Sequence, residues 1–393
     1  MSNSLISHSL DLKRLRDEGY EIEVKGSYLV VTNIPYLNHS GDLKKGTLVS
    51  ELTLSGDITT TPNDHTIFFN GEYPYDNNGN EIQMRIDSKV VNLSRDLQVN
   101  QKWSRKPTRP KVGYVDYYEK ITTYIMVISN YAKMLYPEAN AKTFSIVNTD
   151  DEDQVHEYLD TASSRADIMV INKKLEGLKI GVIGLGGTGS YILDLISKTH
   201  VKEIHLFDGD VLLQHNAFRS PGAVDKEDLR RKMLKVEYFK ERYSRLHKGI
   251  ITHGHFLNES NVDELIGLDF VFIAVDKNNH KKVIIGKLNE LKINFIDSGM
   301  GISKVDDGLI GILRVTTNTQ DKNDHITNRI PLSENDMDDD YSKNIQIAEL
   351  NAFNALMAVI KWKKLYGYYH DHSNEHHTTY SININMLNNE DSS

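Results

Sequence analysis

Not one cysteine occurs among the 393 residues. That excludes disulfides, thiolate-bound zinc and any thiol nucleophile, and it is compatible with a reducing cytoplasm. Long apolar runs are missing as well. No stretch approaches the roughly 20 residues that span a bilayer, and the opening MSNSLISHSLDLKRLRDEGY lacks the layout of a signal peptide. The expectation is a soluble, cytoplasmic protein without membrane contact. An excess of basic charge is also lacking. The net charge is −9, and binding to phosphate backbones needs clustered Lys and Arg, so nucleic acid is not an expected partner. A local basic pocket for a nucleotide stays open. What is present is ordinary for a soluble chain: 39% apolar and 26% charged residues, in a length that accommodates two domains.

The chain changes pattern near its acidic stretch Asp150, Asp151, Glu152 and Asp153. Before it, residues 11–20 read as a short helix, and EIEVKG, SYLVVTNI and TIFFNG (66–71) as strands. NNGN (77–80) reads as a turn and the proline-bearing 103–114 as an extended loop. Tyr117, Ile121, Tyr124, Ile128, Tyr131 and Leu135 recur at helical spacing. This predicts a smaller α+β domain over 1–160. After it, apolar strands alternate with helices: KIGVIG (179–184), EIHLFD (203–208), GIITHGHF (249–256), DFVFIAVD (269–276), INFIDSG (293–299) and GILRVTT (311–317). A helix is expected through DLRRKMLKVEYFKERYSRL, and another over 345–366 with Ile345, Leu350, Phe353, Met357 and Ile360 toward the sheet. That alternation predicts a doubly wound, mostly parallel, Rossmann-like α/β sheet over 161–369. Residues 318–344 read as a crossover loop, and the His-, Asn- and Asp-rich 370–393 as a disordered tail.

The central motif is Gly184-Leu185-Gly186-Gly187-Thr188-Gly189, set between a predicted strand and helix. Glycines there permit a tight turn and let backbone N–H groups approach a phosphate at a helix N-terminus. Asp208 ends the second strand, where a carboxylate accepts ribose hydroxyls; a dinucleotide site has the same feature. The residues that follow lean toward a triphosphate. Asn216 and Arg219 lie just beyond Asp208, Lys232 falls in the next predicted helix, and Asp276 ends a further strand. Hydride transfer has little use for such charges around the phosphates. Nucleotidyl transfer needs cations against the transferring phosphate and an acid for Mg²⁺.

The ordered run IGLGGTGSYIL…LFDGDVLLQHNAFR…RKM…VFIAVDKN resembles the adenylation domain of the ThiF/MoeB/HesA and ubiquitin-activating-enzyme family, over about residues 165–366. The resemblance implies an ATP- and Mg²⁺-dependent adenylyltransferase. In it, Gly184, Gly186, Gly187, Gly189, Asp208 and Asp210 belong to the nucleotide site and Asp208 binds ribose. Asn216, Arg219 and Lys232 contact the phosphates, and Asp276 serves the metal. It also implies a homodimer in which an upstream arginine, here Arg165, reaches the partner's ATP. Two positions depart from the family pattern: Lys277 intervenes before Asn278, and Ser220 follows Arg219. Many relatives carry a cysteine that captures the acyl group. Here the acyl-adenylate passes straight to a partner, or a hydroxyl replaces the thiol; Ser342 is the candidate, with helix capping as the plainer role.

The front half resembles the N-terminal extension of bacterial ThiF-type proteins found beside ubiquitin-like and conjugating-enzyme-like proteins, which makes those the expected partners. The implied reaction is adenylation of the C-terminal carboxylate of a ubiquitin-like protein, without a cysteine thioester. The alternatives are an NAD(P)-dependent oxidoreductase, a nucleotide-binding scaffold without turnover, and a small-molecule or tRNA adenylyltransferase.

Overall fold

The computed structural model describes residues 2–107, 113–147, 154–275, 278–332 and 345–392. By contacts it forms two units, Met1–Asp150 and Asp151–Ser393, whereas the sequence pattern puts the boundary at 160/161.

In the first unit, β1 (Ile22–Lys25), β2 (Tyr28–Leu37), β3 (Leu43–Glu51), β4 (Thr66–Asn70), β5 (Arg85–Asp87) and β6 (Gln101–Ser104) make one antiparallel sheet in the order β1-β2-β3-β4-β6-β5. Two helices supply most of its helical core, α1 (Leu10–Asp17) and α2 (Tyr117–Leu135), with Leu5 and Ile6 added from the preceding helix Ser2–His8. The Asp116 carboxylate caps α2 by accepting from Glu119 N at 2.7 Å. Its helical stripe, Tyr117, Ile121, Tyr124 and Ile128, is buried with Leu29, Val31, Leu48 and Phe69 of the strands. Phe69 stacks on Trp103 with ring centroids 4.2 Å apart, so aromatic area fills much of this core.

The second unit is built on an eight-stranded sheet. Helix α3 (Thr161–Arg165) precedes it. Then follow β7 (Lys179–Ile183), α4 (Gly187–Ile196), β8 (Glu203–Phe207), α5 (Lys226–Arg231), α6 (Lys235–Tyr243), β9 (Ile250–His253), β10 (Phe270–Ile273) and α7 (Asn278–Glu290). The chain continues through β11 (Asn294–Val305), β12 (Gly308–Asn318), α8 (Ala348–Leu365), β13 (His377–Ser381) and β14 (Met386–Glu390). The spatial order is β9-β8-β7-β10-β11-β12-β13-β14, parallel from β9 through β11 and antiparallel beyond. Strand order reverses between β7 and β10, the place where open α/β sheets bind ligands.

Burial on both faces explains the apolar strands. Ile180, Val182, Phe270 and Phe272 join one core layer with α4, α6 and α8; Val271 and Ile273 alternate into the other, beside Ile284, Ile285 and Leu288 of α7.

Three expectations need correction. The long predicted helix through DLRRKMLKVEYF breaks in two, because Lys232 takes a left-handed conformation (φ 50°, ψ 44°) that ends α5. On α8 the buried stripe is Asn351, Asn354, Ala355, Ala358, Val359 and Trp362, while Ile360 is exposed. Small residues face α4 there: a Cβ on Gly187 would already lie 2.2 Å from Asn351. Finally, the tail is not disordered. β13 pairs with β12 and β14 with β13, and Lys361 and Lys364 hold Asp371 and Glu375 at 2.8 and 2.9 Å. These partners pull the Asp371 carboxyl down to about 2, against its burial. Polar composition concealed a tail ordered by ladder bonds and ion pairs.

His247 ties the segment after α6 to the sheet. Its Nε2–H donates to Val201 O at 2.9 Å and its Nδ1 accepts from Gly249 N at 3.1 Å, so the ring is held neutral. Burial, with the neighbouring His156 and His200, pushes its pKa down to about 4. A depressed histidine stabilises fully above its unfolded pKa of about 6.5, and that contribution is lost as pH falls toward 4. We expect the urea-unfolding free energy to drop between pH 7 and 4 by up to about 3 kcal/mol more in the native chain than in His247→Asn. Equal drops in the two proteins would remove this role.

Candidate functional site

At the carboxyl ends of β7, β8 and β10 lies a cleft of about 610 Å³. Its floor is the glycine turn. Gly184 has φ +87°, and a Cβ there would sit 2.6 Å from Ala274 O on the neighbouring strand end. At Gly189 a Cβ would lie 1.8 Å from Gly184 O, so only glycine lets α4 begin against β7. Gly184, Gly186, Gly187 and Thr188 line the cleft. No side chain caps α4 at Gly186, which leaves its first-turn N–H groups and the positive end of its dipole to an anion.

Asp208 stands where β8 ends. Its Oδ2 accepts from Leu185 N at 2.6 Å and its Oδ1 from Asp210 N at 2.8 Å, so the carboxylate helps to shape the glycine turn. Burial raises its carboxyl above the ordinary value, with Lys235 and those backbone donors opposing the rise. A buried charge requires a partner. Lys235, itself buried, supplies it: Nζ lies 2.6 Å from Asp210 Oδ2 and 3.5 Å from Asp208 Oδ2.

Local folding delivers this lysine. After the left-handed Lys232, Leu212 N donates to Met233 O at 2.8 Å and Lys235 N to Asp210 O at 2.9 Å. The 210–212 and 233–235 segments are thereby laced together, and α6 starts with Lys235 pointing into the cleft.

A 3-10 turn over Gln214–Phe218 presents the next two groups. The Asn216 side-chain oxygen accepts from Leu213 N at 2.8 Å, which leaves its amide nitrogen as the end able to donate into the cleft. Arg219 ends the turn. Its Nε is buried and has no hydrogen-bond partner among the described residues, although the side chain lines the cleft. An unsatisfied guanidinium donor beside an uncapped helix start is a ready acceptor of phosphate oxygens.

The structure therefore gathers Gly184, Gly186, Gly187, Asp208, Asp210, Asn216 and Arg219 around one cleft, with Gly189 packed behind the turn. Two expected residues are not brought in. Lys232 is exposed and outside the cleft, because the helix break turns it away; Lys235, three residues later, occupies the place predicted for it. Arg165 is exposed at the end of α3 and does not line the cleft of its own chain. Asp276 and Ser342 lie outside the described residues. Sequence reasoning missed Lys235 despite a readable signal: a lysine flanked by Met233, Leu234, Val236 and Phe239 must be buried, and hence paired. It also missed Ser298, Met300 and Gln346, which reach the cleft from β11 and from before α8.

Comparison with known proteins adds the following. The model of the ThiF family matches residues 161–390, and that of a domain of unknown function (DUF6791) matches residues 10–161. A tRNA threonylcarbamoyladenosine dehydratase of Haemophilus influenzae is 26% identical over 156 residues, 38% of this chain and 57% of that protein. Among solved structures, MccB of E. coli is similar at 16% identity with a TM-score of 0.44, over 57% of this chain and 66% of that one. PaaA is similar at 17% identity with a TM-score of 0.45, over 59% and 80%. The matches thus span less than two thirds of the curated relative and of MccB.

Charged hydrogen bonds contribute about 1.5–3 kcal/mol each, or roughly 10- to 100-fold in affinity. Lys235→Ala is expected to weaken binding of a non-hydrolysable ATP analogue by that factor in equilibrium dialysis, and Lys232→Ala to leave it within about twofold, as suits an exposed charge. The reverse ranking would restore the sequence-based assignment.

Proposed function

The chain belongs to the ThiF family, whose model spans more than half of its residues, and from that premise we propose that it adenylates a carboxylate with ATP. The observation that carries this reading is the pairing of two cations with the glycine turn: Lys235 buried at the end of β8, and Arg219 with an unsatisfied Nε. Hydride transfer builds no charge on a phosphate for either cation to offset, whereas nucleotidyl transfer does.

In the proposed reaction ATP is a substrate. The N–H groups at the start of α4 receive its phosphates, and Asp208 accepts from the ribose hydroxyls. A carboxylate oxygen of the second substrate forms a bond to the α-phosphorus. The bond from that phosphorus to the bridging oxygen breaks, pyrophosphate leaves with the electron pair, and an acyl-adenylate remains. No proton need move. Arg219 and Lys235 offset the negative charge that builds on the phosphoryl oxygens, and positioning supplies much of the rest. Magnesium, the usual companion of ATP, would shield that charge. The described acids of the cleft, Asp208 and Asp210, both face Lys235, so the metal has no unengaged acid among the described residues of the cleft, and Asp276 is the proposed ligand.

The acyl substrate we favour is the C-terminal carboxylate of a ubiquitin-like protein. The resemblance of the first unit to extensions found beside such proteins supports it, and the absence of cysteine excludes a thioester on this chain. The adenylate would then be handed directly to a conjugating-enzyme-like partner, or to Ser342 as an oxyester. Arg165 fits a homodimer in which it serves the partner's cleft, since it is exposed in its own chain. A tRNA-linked carboxylate is the second reading, favoured by the Haemophilus relative and opposed by the net charge of −9.

ATP–pyrophosphate exchange separates these outcomes. Exchange is expected with a ubiquitin-like protein that has a free C-terminal carboxylate, and not with the same protein amidated at its C-terminus. Exchange supported by tRNA alone would move the assignment to the second reading, and none with either would end the proposal. Arg219→Ala should slow exchange by about 10²–10³, the usual loss for one transition-state donor.

A further inference from the structure

A second cluster of chemistry-bearing side chains lies at the outer strand of the parallel sheet and takes no part in the cleft. His253 ends β9, and His255 follows after a single glycine. Residues two apart on an extended strand face the same side, and Gly254 permits it, because a Cβ there would come 2.8 Å from Leu234. Both imidazoles converge on Glu264, carried by a 3-10 turn over Val262–Leu265. His253 Nδ1 lies 2.7 Å from Glu264 Oε2, and His255 Nε2 lies 3.0 Å from Glu264 Oε1. One ligand atom from each residue falls within 4.8 Å of the others.

The geometry points to a divalent metal site of the zinc class at His253, His255 and Glu264. Two imidazole nitrogens and a carboxylate, with a water completing four positions, are a donor set that zinc accepts. Bonds of about 2.0–2.1 Å place tetrahedral ligand atoms roughly 3.3 Å apart, so the 2.7 Å contact opens by about 0.6 Å and the 3.0 Å contact by about 0.3 Å when a metal sits between the ligand atoms. Glu264 and His255 are partly open to solvent, with side-chain exposures of 35% and 41%, which gives the ion an entry path.

What distinguishes this cluster from a chance meeting of surface groups is its outer shell. The other nitrogen of His253, Nε2, lies 3.1 Å from His205 Nδ1, and His205 Nε2 lies 3.2 Å from Glu203 Oε2. Glu203 in turn pairs with Lys179 Nζ at 3.0 Å. Ligating histidines characteristically donate their second N–H in this way, which fixes the tautomer and strengthens the metal bond. His253 is further held flat by stacking on Phe207, with centroids 4.1 Å apart. Phe256 and Leu257, in the segment between His255 and Glu264, line the nucleotide cleft. A metal at this position would therefore staple one wall of that cleft to the sheet.

The test is Co²⁺ titration of the full chain, without nucleotide, followed by Zn²⁺ competition. One Co²⁺ per chain, with the intense visible absorption of four-coordinate cobalt and displacement by Zn²⁺, is expected. Glu264→Gln and His255→Ala should abolish that band. His205→Ala should keep it and weaken affinity by about 10–100-fold, the loss typical of an outer-shell partner. His370→Ala with His372→Ala should change nothing. A weak, six-coordinate spectrum that survives Glu264→Gln, or a band lost only in the His370/His372 variant, would overturn the site. Circular dichroism of each variant guards against misfolding, and Glu264 is exposed enough for its substitution to leave the fold intact.

Discussion

A lysine ammonium buried beside the end of a parallel strand, on the wall of the cleft, is the constraint on which the second unit turns. Lys235 cannot be buried there unpaired, since leaving one member of such a group alone costs about 3–5 kcal/mol. Asp208 and Asp210 are its only described carboxylate partners. Asp208 is occupied a second time by the backbone of the glycine turn. One cluster thus joins three features: the strand end, the phosphate-binding turn and the start of α6. Such a cluster adds little net stability beside an apolar core of equal volume. What it provides is a preorganised set of charges, the quantity that a phosphoryl-transfer site requires.

Most of the architecture was legible because it rests on periodicity. Strands buried on both faces must be continuously apolar, and KIGVIG and DFVFIAVD can hardly be anything else. The glycine turn was legible for a steric reason, borne out by the 1.8 Å approach of a would-be Cβ at Gly189 to Gly184 O. Failures came where tertiary partners override local pattern. Lys232 belongs to an unbroken helical pattern, and nothing local announces that it ends α5 in a left-handed turn; three residues of slip then misplaced the cation. In α8 the apolar residues suggested one buried face, but the helix packs through asparagine and alanine because α4 begins with glycine. The tail reads as disordered by hydropathy, yet its order comes from ladder hydrogen bonds and from Asp371 and Glu375, which single-residue composition cannot reveal.

Histidine has three distinct uses in the second unit. His247 is buried and held neutral by two backbone groups. His377 bonds to Thr316 within β12 and His376 to Thr319 just beyond its end, where the tail is ordered. His205, His253 and His255 form a polar chain that ends on Glu264. With no cysteine available, imidazole is the remaining borderline-soft ligand in this chain. The cleft and this chain of imidazoles share the segment that carries Phe256 and Leu257, so two sites of different chemistry bear on one wall.

The central claim is that the cleft accommodates a triphosphate and not a dinucleotide, a distinction that glycines alone do not make. Isothermal titration calorimetry of the same protein with ATP and with NAD⁺ addresses it directly. Saturable heat with ATP at one site per chain, and none with NAD⁺, is the predicted result. Saturable NAD⁺ binding that ATP fails to displace would contradict it.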